Sequence, residues 1–522
     1  MKFSHTGFLG DKLTGKALEL AVCATASSGF LLFGYDRIIT EEIFLHQFPL
    51  MEPDYKDSAI QAMVVAIYEI GCLIGSIFVI MYGDRIGRRR TVLIGAVIML
   101  IGTVIQCTAF SLGHLIVGRI VNGAGNGMNT SSIPVWQSEM APPKIRGFLV
   151  LFEGALITCG IMISYWINYG FYFVTQYGSF QWRFPIGFQA FFGVILIIGI
   201  LALPESPRWL IKHGKEKEAF EILGRLHEKP EDDEEILKDV EEMKAINRIT
   251  SGSKLTLKEF FSNGREMNLW RASVAFWAQA FQQIGGINLV TYYATVVFEE
   301  SLGFEGAMSR FLTAWNGTEY FLAAVAALFI VDRLGRRKLM IWGAGGMATS
   351  LLIIGASLST EKRSGAYVAT VFFFIFNSFF ALGWLGTTWL YPAEVTPIRI
   401  RAEANGLSTS ANWLFNYAVV QLAPIMIKRI EWRTYFVFMV FNFAFIPVVY
   451  FTFVETNGYK LERLDAIFAE AHDKKENPVW TERRVRKGEA LDIDARIEEE
   501  KGKEGAVEHV NEGDAEANRN GI

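Results

Sequence analysis

Apolar residues in this chain come in long blocks separated by short polar stretches. Twelve such blocks stand near residues 16–36, 59–82, 91–112, 114–136, 148–173, 184–203, 270–298, 311–331, 338–358, 366–391, 403–427 and 434–454. About twenty residues of helix, at ~1.5 Å of rise each, cross a hydrocarbon core of ~30 Å. The helix is the element these blocks predict, because it satisfies its own backbone groups where no water can reach. A soluble core does not repeat spans of this length. The pattern predicts an all-α polytopic membrane protein.

The polar stretches orient it. The loop at 83–90 reads Gly-Asp-Arg-Ile-Gly-Arg-Arg-Arg, and the loop at 332–338 reads Asp-Arg-Leu-Gly-Arg-Arg-Lys. Lys144, Arg146, Arg399 and Arg401 lie in loops of the same parity, whereas Glu41, Glu42, Glu52, Asp54 and Asp57 lie opposite. Cationic loops stay in the cytoplasm, which predicts that both termini are cytoplasmic. The formal charge of −4 over 522 residues adds little, since the charges sit in loops and tails. Cys23, Cys72, Cys107 and Cys159 all fall inside spans, so no disulfide framework is expected. No small-residue cleavage site follows the first span, which therefore reads as a retained helix.

The pattern repeats. Asp84, Arg88 and Arg89 return as Asp332, Arg336 and Arg337; Glu139 and Arg146 return as Glu394 and Arg401. Trp182-Arg183 returns as Trp432-Arg433, and Glu205 as Glu455. One offset of roughly 250 residues serves all of these, which predicts two pseudo-symmetric six-helix halves. They are assigned to 1–203 and 268–468, with a linker at 204–267. In the linker, Ala219, Ile222, Leu223 and Leu226, then Ile236, Leu237, Val240 and Met243, follow the one-face pattern of short amphipathic helices. From 469 to 522 the chain is charged and poor in apolar residues, the composition of a disordered tail.

The stretch richest in chemistry runs from Phe281 to Tyr293, inside a spanning block. The amides of Gln282, Gln283 and Asn288 need partners that lipid does not offer. Asn288 and Tyr292 share a face one turn apart, and Gly285-Gly286 loosens the helix, an interruption that lines binding sites inside membranes. Interhelical glue is the plain alternative. Three amides and two tyrosines together favour a ligand lining. Asp36 and Arg119 are ionisable within spans, where an unpaired charge is expensive. A mutual pair solves that problem, as a static bridge or as a proton-carrying couple. No Cys/His cluster has metal spacing and no phosphate-binding loop or nucleophile–base arrangement is present. Neither an enzyme, a cofactor, a metal nor a nucleic-acid partner is expected.

Over about residues 17–468 the chain resembles the sugar porter family of the major facilitator superfamily. The resemblance rests on the Asp-Arg-x-Gly-Arg-Arg loops, on Pro204-Glu205-Ser206-Pro207-Arg208, and on Gln282-Gln283-x-x-Gly-x-Asn288-x-x-x-Tyr292-Tyr293. It implies twelve transmembrane helices and transport of a hexose or pentose by alternating access, in a monomer in the plasma membrane. It puts Gln282, Gln283, Asn288, Trp389, Asn412 and Trp413 on sugar-contact positions, with Tyr292 and Asn416 on the same faces. It makes Asp36 and Arg119 a proton-coupling pair. It also implies a cytoplasmic gate that locks the halves together, made of Asp84, Arg88, Glu139 and Arg146, of Asp332, Arg336, Glu394 and Arg401, and of Glu205 with Arg208.

Three departures stand out. The family's glutamine in span five is Gly154, beside Glu153; its asparagine in span eight is Tyr320, beside Glu319; its Gly-Pro in span ten is Leu385-Gly386. They leave room for smaller or linear polyols, so polyol or glycerol symport with protons is the alternative. A non-transporting sugar sensor on the same fold is the other, although such sensors carry a longer tail.

Overall fold

The structure, a computed structural model, describes residues 7, 12–35, 42–51, 58–141, 146–230, 232–251, 256–301, 303–397, 399–459, 461–489 and 491. Among them, twelve helical segments run up and down through the fold. The first six are α1 (Gly15–Tyr35), α2 (Ala59–Ile86), α3 (Arg88–Cys107), α4 (Leu112–Met140), α5 (Arg146–Tyr172) and α6 (Phe180–Ala202). The rest are α7, in two pieces (Asn268–Ile284 and Ile287–Val296), α8 (Gly306–Leu334), α9 (Arg336–Leu358), α10 (Arg363–Val395), α11 (Arg401–Ile430) and α12 (Arg433–Thr452). Nine are long and apolar enough to cross a membrane by length and composition alone. The other three are α4, α7 and α11, which bury polar side chains: Arg119, Asn122 and Asn126 on α4, Gln279, Gln282, Gln283 and Asn288 on α7, Asn412 and Asn416 on α11.

The pairings inside each half repeat. Packing of α1 on α5, α2 on α4, α3 on α4 and α3 on α6 returns as α7 on α11, α8 on α10, α9 on α10 and α9 on α12. Between the halves the long contacts are α2 with α11 and α5 with α8, which the repeat maps onto each other. Small residues bring the N-terminal helices to backbone contact. A Cβ on Gly127 of α4 would stand 2.8 Å from Cys72 Cα on α2, and one on Gly75 of α2 would stand 3.0 Å from Met128 N. Without a hydrophobic drive between helices in lipid, such close approach supplies the packing energy.

At the end of the bundle that carries the basic loops, short helices cap both halves. Pro207–Lys212, Glu216–His227 and Glu234–Ser251 lay Ala219, Ile222, Ile236 and Val240 against Leu18 and Trp209. Leu237, expected on that face, is exposed, because the helix turns Ile236 and Val240 inward. Leu257–Phe260 joins the C-terminal half through Phe260, which packs with Ala272 and Ile400.

The expected disordered tail needs a correction. Leu461–Asp473 and Pro478–Arg486 are helical and docked. Arg271, buried at the start of α7, donates to Asp465 and lies 4.5 Å over the Phe468 ring. Asn477 caps the second helix by accepting from Val479 N at 2.9 Å, and Val479 and Leu491 are buried. The charge of the whole segment masked these two amphipathic turns; residues 492–522 lie outside the described residues.

Gly127→Ala is expected to push α4 off α2 and lower the Tm of the detergent-purified protein by several degrees. Gly113→Ala on α4, whose Cβ meets nothing within 4 Å, should leave the Tm unchanged. Equal shifts from both would contradict the packing account.

Candidate functional site

The polar residues of α7 and α11 form one ladder of hydrogen-bonded amides. Asn412 Nδ2 donates to Gln279 Oε1 at 2.5 Å and to Gln282 Oε1 at 2.8 Å. Gln283 Nε2 donates to Gln282 Oε1 at 3.3 Å. Asn288 Nδ2 donates to Gln283 Oε1 at 2.5 Å and to Asn416 Oδ1 at 2.7 Å. All six side chains are buried, and none leaves a buried amide atom without a partner, whereas Asn316 Nδ2 and Asn377 Oδ1 on α8 and α10 do. Buried carboxamides of this kind must bond to something, and here they bond to each other.

The third wall is α10. A π-helical turn at Ala381–Leu385, ending at the Leu385-Gly386 dipeptide, frees backbone carbonyls from the regular ladder of the helix. Gln282 Nε2 uses them, donating to Trp384 O at 2.9 Å and Leu385 O at 3.1 Å. Gln279 Nε2 donates to Thr388 O at 3.0 Å.

Inside the ladder α7 is broken. Gly286 takes φ +93°, a left-handed value that glycine alone adopts freely. The Gly285 carbonyl exposed by the break accepts from Asn442 Nδ2 of α12 at 2.9 Å. Past the break, Tyr293 leaves helical geometry at φ −115° and donates to Val420 O at 2.9 Å. Tyr292 donates to Glu69 Oε1 on α2 at 2.7 Å, and Tyr165 on α5 donates to Thr291 O.

The other expected lining residues are placed as follows. Trp389 is half-buried, next to Thr388. Trp413 is fully buried against the N-terminal half, its ring 5.5 Å from that of Phe33 and clustered with Tyr68 and Cys72. Tyr320 packs its ring 6.1 Å from Phe380 within the C-terminal half. Gly154 faces α10: a Cβ there would lie 3.5 Å from Leu385 Cγ and 3.7 Å from Gly386 Cα. Arg119 is buried on α4, donating to Val65 O at 2.8 Å and lying 4.7 Å over the Tyr68 ring. Asp36 lies outside the described residues.

Of the residues expected to lock the halves together, Arg88 and Arg336 pair with acids of their own half among the described residues. Arg88 Nη1 bonds Asp84 at 2.9 Å and its Nε bonds Glu139 at 3.2 Å. Arg336 bonds Asp332 at 2.8 Å and Glu394 at 3.1 Å. Each set lies within one half. Glu205 accepts from Arg89 N at 3.1 Å at the start of α3, and Glu455 from Arg336 N at 2.9 Å at the start of α9. A carboxylate there meets the free N–H groups and positive end of a helix. Burial pushes the Glu205 carboxyl above its ordinary range, against the pull of the Arg89 and Ser206 N–H groups. Arg401 donates to Thr396 O at 3.0 Å, Arg208 is exposed, and the side chain of Arg146 lies outside the described residues. Among the described residues, apolar contacts join the halves at this end. Ile80 lies against Gly406, Leu151 against Gly386, and Leu151 clusters with Val331 and Leu390.

Two members of the site were missed from sequence. Gln279 stands one turn before Gln282 and Gln283, a spacing that could have found it. Glu69 is an acid inside an apolar span, and that oddity was its signal.

A family profile described as "Sugar (and other) transporter" matches residues 22–468. The Sugar transporter STL1 of Saccharomyces cerevisiae is 41% identical over 489 residues, 91% of this chain and 84% of that protein. The Major facilitator superfamily transporter mfsA of Aspergillus fumigatus is 36% identical, over 88% of each chain. Among solved structures, the proton:xylose symporter XylE bound to 6-bromo-6-deoxy-D-glucose superposes with a TM-score of 0.76 at 26% identity, covering 87% of this chain and 100% of that one.

Asn412→Ala removes the donor to Gln279 Oε1 and the shorter of two donors to Gln282 Oε1. An orphaned buried acceptor costs about 1–3 kcal/mol. Asn416→Ala leaves Asn288 Nδ2 still bonded to Gln283. The expected result is a larger drop in Tm for Asn412→Ala; equal drops would reduce the ladder to ordinary packing.

Proposed function

The chain belongs to the sugar porter family of the major facilitator superfamily, multi-pass integral membrane proteins, and on that premise we propose that it carries a hexose or pentose by proton-coupled alternating access. The observation that carries this reading is the amide ladder set across the break in α7. Sugar hydroxyls both donate and accept, so they can replace amide–amide bonds one for one. Such an exchange nets little free energy per contact, roughly 0.5–1.5 kcal/mol. A site of that kind binds loosely enough to release its cargo. In taking bonds from Gln283 and Asn288, the sugar also loosens or tightens the segment of α7 beyond Gly286.

In this reading the basic end faces the cytoplasm, with both termini there, and the protein works as a monomer in the plasma membrane. The charge clusters Asp84–Arg88–Glu139 and Asp332–Arg336–Glu394 keep each half rigid. The halves part at the apolar contacts between Leu151, Leu385 and Leu390 and between Ile80 and Gly406. Trp389 offers a ring face to sugar C–H groups, and Trp413 does so where its contact with Phe33 of the other half parts. The driving force enters through Asp36 and Arg119: protonation from outside frees Arg119, and deprotonation inside restores the pair. A potential of ~100 mV supplies about 2.3 kcal/mol per proton, enough for roughly fifty-fold accumulation.

A polyol is the second reading, favoured by Gly154 and Tyr320. Two positions that carry amides in the family here offer bare backbone and a ring packed on Phe380.

Uptake of labelled glucose, xylose, glycerol and sorbitol by cells lacking their own transporters, with and without a protonophore, separates these readings. Asp36→Asn is expected to abolish protonophore-sensitive accumulation while leaving exchange of labelled for unlabelled substrate intact. Loss of both together would make Asp36 a structural residue, and a parent insensitive to protonophore would make the protein a facilitator.

A further inference from the structure

Two hydroxyls tie the far piece of α7, Ile287–Val296, to the other half. Tyr165 on α5 holds the Thr291 carbonyl, and Tyr292 holds Glu69 Oε1 on α2 at 2.7 Å. At its other end the piece hangs on Gly285 and Gly286, and its backbone bends again at Tyr293. It is a short lever hinged at the two glycines, held to its own half by Asn288 with Asn416 and Tyr293 with Val420 and to the opposite half by the two tyrosine hydroxyls. The ladder residue Asn288 stands one turn from Tyr292 on this lever.

Glu69 is an expensive choice of fastening. It is fully buried in the middle of an apolar helix, where a carboxylate costs far more than an amide or a hydroxyl. Its surroundings make that choice workable. Four residues earlier on α2, Val65 O accepts from Arg119 Nη2, and the Arg119 guanidinium lies 4.7 Å over the ring of the adjacent Tyr68. Arg119 is thus held against the same stretch of α2 that carries Glu69, and Glu69 Oε1 offers the Tyr292 hydroxyl an acceptor. A directional bond of this kind suits a contact that must hold or let go.

We infer that Glu69 is the latch of the outer gate: its carboxylate captures the Tyr292 hydroxyl when the far piece of α7 closes over the ladder, and releases it when that piece swings out. The inference rests on the alternating-access reading above and goes beyond it by naming the residue of the opposite half that fastens the lever. Glu69 acts as a positioning residue. It sets where Tyr292, and through it Asn288, stands relative to the sugar.

The test reads the gate directly. Thr295→Cys places a thiol on the lever, where Thr295 Oγ1 now lies 3.2 Å from Thr313 Oγ1. A membrane-impermeant maleimide on intact cells then measures how often the lever is out. Glu69→Ala and Tyr292→Phe, each in the Thr295→Cys background, should speed labelling about two- to tenfold, the worth of one net hydrogen bond. Together they should do no more than either alone. Glu69→Gln, which keeps an acceptor oxygen of similar shape, should label more slowly than Glu69→Ala. Effects that multiply, or a Glu69→Gln that labels as fast as Glu69→Ala, would overturn the latch. If Glu69→Ala fails to reach the surface, Tyr292→Phe decides alone, and unchanged labelling overturns the proposal. Labelling requires no transport, so the latch can fail while sugar uptake stands, and can stand while every trial sugar fails.

Discussion

Amide groups buried among apolar side chains must find partners, and that requirement shapes this molecule. Six carboxamides on α7 and α11 would each be costly alone; bonded in sequence from Gln279 to Asn416 they are satisfied. The ladder in turn explains local features that otherwise look like defects. The π-helical turn of α10 leaves carbonyls for Gln282, and the break at Gly286 points Asn288 back toward Gln283 and Asn416. In the proposed reading, a binding site made this way is complete before its ligand arrives, the ligand competes for bonds already made, and the cost of disturbing them falls on a helix that is already broken.

The rest of the fold separates rigidity from movement. Ion pairs and helix-capping carboxylates lie within each half, repeated nearly atom for atom: Asp84, Arg88, Glu139 and Glu205 in one, Asp332, Arg336, Glu394 and Glu455 in the other. Strong, directional bonds thus join helices that stay together. Between the halves the described residues of the basic end include apolar contacts at glycines, as of Ile80 with Gly406 and Leu151 with Gly386, and apolar surfaces can slide or part without leaving a buried charge unpaired. A few hydroxyl bonds on the far side complete the closure.

Much of this was legible in the sequence. The spans follow from length and hydropathy, and the two halves from one recurring offset. The sequence singled out Gln282, Gln283, Asn288, Asn412 and Asn416 as polar residues in apolar spans and read them as a ligand lining; that they bond to one another, with Gln279, is seen only in the structure. What was hidden was hidden for physical reasons. The spacing of Asp84, Arg88 and Glu139 reads the same whether the pairs form within a half or across the interface, so the expectation of a lock between halves could not be checked from spacing. The helices at 461–473 and 478–486 make tertiary contacts, such as Arg271 with Asp465 in the first and Arg483 over the Tyr450 ring in the second, and composition averages such contacts away. Glu69 acquires its meaning only from a tyrosine more than two hundred positions along the chain.

The central claim is that a sugar or polyol replaces the amide–amide bonds of the ladder. The most direct test is a cryo-electron-microscopy structure with a transported sugar or polyol bound. The account predicts the ligand between α7, α10 and α11, with its hydroxyls taking bonds that Gln282, Gln283 and Asn288 now make to Asn412 and Asn416. A ligand seated elsewhere, with all six amides still bonded to one another, would contradict it.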